Sequence, residues 1–169
     1  MSLSSIFAAI VPVLCGLIGV MLSSMPVSLT GGAVPPPLLG FMAVYFWALV
    51  RPDLMPPAGV FVVGLAQDLF SGAPPGFWTT AFIAAYALLD RQREALASLA
   101  GLGAILGFAL AMLFASAAVY LIAWFYFRQL PPLAPLALQM GVSVLCYIPV
   151  LPILNGIQHR IVGPLRSEF

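Results

Sequence analysis

Hydrophobic residues fall into six long blocks along the chain, separated by short stretches rich in proline, glycine or charge. A membrane-spanning helix needs about 20 apolar residues, within a range of roughly 17–25. On that measure the blocks predict helices over residues 6–24, 36–50, 57–70, 75–89, 96–127 and 133–157, in one domain covering 1–169. Four blocks open on proline runs: Pro35-Pro36-Pro37, Pro56-Pro57, Pro74-Pro75 and Pro131-Pro132. Proline suits the first turn of a helix, where its missing N–H has no intrahelical acceptor, so the runs read as helix starts. The second to fourth blocks are short for a full span. They either thin the bilayer locally or, for the third and fourth, form a re-entrant hairpin.

Composition makes the environment explicit. Of 169 residues, 63% are hydrophobic and 7% charged, against roughly 25% charged in a soluble domain. An all-α membrane protein is the expectation. All six basic residues are arginine. With the N-terminus inside and six crossings, Arg51, Arg91, Arg93, Arg160 and Arg166 lie on the cytoplasmic side and Arg128 outside. This distribution follows the positive-inside rule and places both termini in the cytoplasm. Trp78, Trp124 and Tyr126 then mark the outer interface and Tyr45 and Trp47 the inner one. The charge balance provides no basic face for nucleic acid.

The polar inventory inside the blocks is Asp68, Gln67, Gln139 and Asn155, with scattered Ser and Thr. The one histidine, His159, lies at the cytoplasmic end of the sixth block and Asp68 near the outer end of the third, with the hydrocarbon core between them, so the two form no catalytic dyad. Cys15 and Cys146 sit in apolar runs and read as small hydrophobes. One His and two separated Cys fall short of a metal set, and Gly101-Leu-Gly103-Ala-Ile-Leu-Gly107 lacks the lysine and strand of a phosphate loop. The expectation is a protein with no catalytic, metal-binding or cofactor-binding residues.

Asp68 is an acidic side chain within an apolar segment, where a carboxylate costs on the order of 2.5–3.5 kcal/mol. Three readings stay open. It reaches the outer interface alone, it pairs with a polar group of its own fold (Arg128 being the outward-side cation), or it anchors a partner or ligand. Arg51-Pro52-Asp53 reads as a tight cytoplasmic turn and Asp90-Arg91-Gln92-Arg93-Glu94 as a short charged loop. In the fifth block Gly103, Gly107, Ala111 and Ala115 recur every four residues. Such a stripe lets a neighbouring backbone approach closely, and it serves either an internal helix contact or a partner's helix. Pro149 and Pro152 predict a kink in the sixth helix.

Arg51-Pro52 followed by Gly64-Leu65-x-x-Asp68-Leu69-x-x-Gly72-x-x-x-Gly76 resembles the rod-shape-determining MreD family. The length, Pro12, Pro26 and the short middle segments are similar too. The resemblance implies a non-catalytic inner-membrane adaptor of bacterial cell elongation and side-wall peptidoglycan synthesis. Its partners in that setting are a bitopic MreC-like protein, an MreB-like filament, and a RodA-like glycosyltransferase with its transpeptidase. It also implies a fold similar to the substrate-binding subunits of energy-coupling-factor vitamin transporters. The alternative function is therefore a vitamin-type transporter subunit. That reading asks for convergent polar or aromatic groups in a pocket, for which the outer loops offer Thr30, Gln129 and Trp78.

Overall fold

The computed structural model describes residues 3–25, 35–97, 102–128 and 132–162, all of them helical or in short connections. Six helices follow in order: α1 (Leu3–Ser23), α2 (Leu39–Val50), α3 (Pro57–Ser71), α4 (Phe77–Ala97), α5 (Leu102–Phe127) and α6 (Leu133–Ile157). A 3₁₀ turn, Pro52–Leu54, joins α2 to α3, and a π-helical turn, Gln158–Val162, extends α6. Two helices, Gly103–Tyr126 and Leu133–Val162, are long and apolar enough to cross a membrane. Pro26, Thr30, Gln129, Pro131 and Arg166 lie outside the described residues.

Neighbouring helices alternate in direction. One end of the bundle gathers the C-termini of α1 and α3, the N-termini of α2 and α4, and the first half of α6. α2 is the central element. Every residue from Gly40 to Ala48 is buried, as expected for a helix that is apolar all round and enclosed by others. At about 1.5 Å per residue it is only about 18 Å long, and α1, α3, α4, α5 and α6 all pack on it. Its aromatics seed the core: Phe41 lies 5.0 Å from Phe82 between ring centroids, and Tyr45 lies 5.3 Å from Phe108. Phe108 stacks on Tyr147 at 4.3 Å. Tyr45 and Trp47, expected at the inner interface, belong to this core. Trp78 is also buried, while Trp124 and Tyr126 are exposed.

The outward faces are apolar. Ile10, Leu14 and Ile18 on α1, and Leu106, Leu110, Leu113 and Leu121 on α5, are all exposed. Leu138, Leu145, Ile148 and Ile153 continue this surface on α6.

Two expectations need correction. The charged segment from Asp90 to Glu94 is not a loop, because α4 runs through it to Ala97. These side chains are exposed or half-exposed at one end of a helix whose apolar residues lie earlier, so a drop in hydropathy marks the end of the apolar stretch and not of the helix. Of the proline runs, only Pro56-Pro57 places proline in the first turn. α2 starts two residues after its run, and α4 starts after Gly76. Pro149 and Pro152 lie within the span of α6.

Gly64 shows how closely α3 and α4 approach. A Cβ at this position meets the backbone Cα of Thr79 at 2.7 Å, so any side chain pushes the two helices apart. On α6, a Cβ at Gly141 meets nothing within 4 Å. Gly64→Ala is expected to destabilise the fold by about 1–3 kcal/mol through overpacking. Gly141→Ala is expected to stay within about 0.5 kcal/mol of the parent. Thermal melts of the purified protein in detergent distinguish the two, and equal melting points contradict the packing account.

Candidate functional site

The site begins with the four-residue spacing of Gly64, Asp68, Gly72 and Gly76. Gly64 and Asp68 lie one turn apart on α3, so both face α4. Gly72 closes the helix with a left-handed φ of 67°, and its N–H returns to the Asp68 carbonyl. The Ala73 N–H reaches the same carbonyl at 3.1 Å, a pairing that satisfies acceptors left over at a helix end. Ser71 Oγ donates to the Gln67 carbonyl at 2.6 Å. Gly76 has a φ of 96° and turns the chain into α4. Both glycines occupy backbone conformations that side-chain-bearing residues rarely adopt.

This tight turn brings the start of α4 onto the Asp68 carboxylate, which is 0% exposed. Asp68 Oδ2 accepts from the Gly76 N–H at 2.8 Å, the Thr79 N–H at 3.3 Å and the Thr79 hydroxyl at 2.6 Å. Oδ1 accepts from the Trp78 N–H at 2.5 Å. The Phe77 N–H goes to the Pro74 carbonyl. The first-turn amides of α4 are thus paired, three of them by one side chain from the preceding helix. A negative charge at a helix N-terminus also meets the positive end of the helix dipole. Charge-assisted hydrogen bonds are worth about 1.5–3 kcal/mol each, so four of them offset the several kcal/mol of removing the carboxylate from water.

Of the three readings of Asp68, pairing within the fold describes the structure, but the partner differs from the expected one. Arg128 is exposed beyond the end of α5 and does not bond Asp68, and α3 and α5 do not pack on each other. The sequence reading missed Trp78 and Thr79 as partners. The available signal was the short Gly72–Gly76 link, which leaves the next helix's unpaired amides within reach of a carboxylate one turn before it.

Arg51 and Pro52 lie at the other end of α3, 13 and 12 residues before Gly64 in the chain. Arg51 is 8% exposed and forks onto Asp53, with Nε 3.0 Å from Oδ1 and Nη2 2.9 Å from Oδ2. Pro52 opens the 3₁₀ turn that makes this pair local. The Arg51 guanidinium, chiefly through these hydrogen bonds, holds the Asp53 carboxyl below the usual carboxylate range.

The small-residue stripe on α5 is turned inward. Ala111 and Ala115 are buried, and Gly107 faces the Tyr45 hydroxyl and Leu96. Tyr45 in turn donates to the Ala104 carbonyl at 3.2 Å. Gly103, half-buried, lies at the start of the same face. The chain's own α2 and α4 use this face, so it is not open to a partner's helix. His159 lies in the π turn after α6, away from α3, and Cys15 and Cys146 are unpaired. Among the described residues, no group of three His, Cys, Asp or Glu could hold a metal ion.

No protein-family model, no curated protein and no solved structure matches this chain.

Two outcomes test the geometry. In a double-mutant cycle read by thermal stability, Asp68→Ala and Thr79→Val are expected to couple by about 0.5–3 kcal/mol. Asp68→Ala and Arg128→Ala are expected to add within about 0.3–0.5 kcal/mol, and coupling of this second pair contradicts the assignment. Because the folded-state pKa of Asp53 is depressed, its pairing stabilises the protein above the unfolded value of about 3.9. That contribution disappears as pH falls through the lower folded value. Asp53→Asn should therefore melt slightly below the parent at neutral pH and level with it in strong acid. A gap unchanged by acid removes the ion-pair explanation.

Proposed function

We propose that this chain is a polytopic protein of the bacterial cytoplasmic membrane with both termini inside. It acts without catalysis as an adaptor in the cell-elongation complex that inserts side-wall peptidoglycan. Its partners on this reading are an MreC-like bitopic protein, an MreB-like filament, and a RodA-like glycosyltransferase with its transpeptidase. The observation that carries it is the use made of the residues behind the resemblance. Gly64, Asp68, Gly72 and Gly76 form one device that locks α3 to α4, and Arg51-Pro52 closes the turn that leads into α3. A carboxylate with both oxygens held by a helix start suits a structural role better than proton transfer or nucleophilic attack.

The exposed apolar faces of α1, α5 and α6 support placement in lipid, since contiguous apolar patches of that extent are unusual in water. Six crossings accommodate the short α2 because longer neighbours enclose it. The non-helical residues before it are tolerated at membrane depth where protein covers them and supplies partners: the Leu38 N–H bonds Ser143 Oγ at 3.0 Å. The arginine distribution supports cytoplasmic termini.

The second reading, a substrate-binding transporter subunit with the energy-coupling-factor architecture, gains from one observation, a mixed polar and aromatic cavity at the Asp68 end. A vitamin retained by the purified protein favours that reading.

On the adaptor reading, deletion in the source bacterium should convert rods to rounded cells, and the MreC-like protein should co-purify from native membranes. Rod shape retained after deletion contradicts it. Because the α5 stripe is internal, Ala111→Leu should lower folded yield; loss of co-purification from a normally folded Ala111→Leu protein contradicts that placement.

A further inference from the structure

Beside the Asp68 device the helix ends enclose a cavity of about 360 Å³. Its polar wall is formed by Ser23 and Ser24 of α1 and the adjoining turn, Gln67 and Ser71 of α3, and Gln139 of α6, with the Trp78 indole alongside. Gln67 is 5% exposed, yet its Oε1 is buried with no hydrogen-bond partner. Leaving a buried acceptor unpaired costs about 1–3 kcal/mol, and buried polar groups normally have partners. Gln67 also lines the cavity, so a polar side chain with unmet hydrogen-bonding capacity stands in its wall and points to a polar ligand.

The other polar groups narrow the chemistry. Ser24 Oγ donates to the Val20 carbonyl at 2.8 Å, and Ser71 Oγ donates to the Gln67 carbonyl at 2.6 Å. Ser23 Oγ lies 2.7 Å from the Pro37 carbonyl and accepts from the Leu39 N–H at 3.1 Å. Gln139 Nε2 donates to the Pro36 carbonyl at 3.2 Å. The serine hydroxyls and Gln139 Nε2 donate within the protein, and neither the Gln67 amide N–H nor the Trp78 indole N–H belongs to that set, so the wall offers a ligand both donors and acceptors, the latter being serine lone pairs and glutamine oxygens. No charged side chain lines the cavity among the described residues. The nearby carboxylate of Asp68 is fully buried and already bonded to α4. A buried cation there would lack a counter-charge, which is costly; a neutral group with several hydroxyls, which both donate and accept, fits. An aromatic ring next to planar amides also suits the C–H face of a sugar. At the rim, Met25 and Phe70 are exposed and apolar, a surface on which an acyl chain can lie.

We propose that this cavity binds a neutral, hydroxyl-rich group of about the size of one sugar ring, either free or as the headgroup of a glycolipid. The Gln67 amide is its central polar contact and Trp78 its aromatic wall. Asp68 acts as a positioning residue, because it holds the backbone of Trp78. The assignment rests on the cavity alone and stands whichever partners the protein has.

The test uses the full chain in phosphatidylcholine nanodiscs, free of glycoside detergent, with tryptophan emission as readout. One arm is titrated with methyl glucoside, and the other is assembled with increasing monoglucosyl diacylglycerol. A saturable change in either arm is expected. The glycolipid arm alone identifies a lipid headgroup as the source, and response to the free sugar identifies a soluble ligand. Gln67→Leu removes the amide at similar volume and should weaken binding about tenfold, with no loss of melting temperature. Gln139→Ala, on the more open wall, should weaken binding less and provides a second variant that leaves the buried part of the wall intact. No saturation in either arm overturns the proposal. So does saturation equally produced by phosphatidylethanolamine, or undiminished in both variants.

Discussion

An α-helix begins with N–H groups that its own backbone cannot pair, and inside an apolar bundle little water is available to take them. The starts of α2 and α4 carry no side-chain cap of their own from serine, aspartate or asparagine, because prolines and glycine precede them. The chain meets this constraint by capping across helices. Asp68 of α3 takes three amides of the α4 start, while Ser23 of α1 and Ser143 of α6 take the Leu39 and Leu38 amides at the α2 start. Each cap ties two helices together at one end of the bundle, so satisfying backbone polarity and fixing tertiary structure are the same event.

This connects the polar sequence features to the proposed roles. Asp68 holds Trp78, and the residue before it, Gln67, faces the cavity beside that indole. Gly64 lets α4 lie close enough for the carboxylate to reach it. The opposite end is organised by the Arg51–Asp53 fork and by Tyr86, whose hydroxyl donates to the Met55 carbonyl at 3.0 Å. Polar contacts thus lie at the ends of the helices and aromatic packing lies between them. The outer faces are left apolar.

Much of the fold was legible because the hydrophobic blocks and the proline runs mark where helices occur. Hydropathy does not distinguish lipid from protein interior, so Tyr45 and Trp47 of the enclosed α2 read as interface residues. It also cannot see a helix continue past its apolar part, and so Asp90 to Glu94 read as a loop. The spacing of Gly64, Asp68, Gly72 and Gly76 singled out the right residues. Their partners stayed hidden because three of the four groups that bond Asp68 are backbone N–H groups, which no side-chain inventory contains. A search for an opposite charge led instead to Arg128. The cavity was missed for a related reason: its walls come from helix ends, and the sequence reading looked for binding groups in the loops.

The most direct test of the capping account is amide hydrogen exchange of the native protein, resolved at Gly76, Trp78 and Thr79. First-turn amides of a helix are ordinarily among its fastest to exchange, since no intrahelical acceptor protects them. With the Asp68 carboxylate holding them, all three are predicted to exchange as slowly as the interior amides of α4, and to lose that protection in Asp68→Ala. Fast exchange at these positions in the parent protein, or protection unchanged by the substitution, would contradict the account.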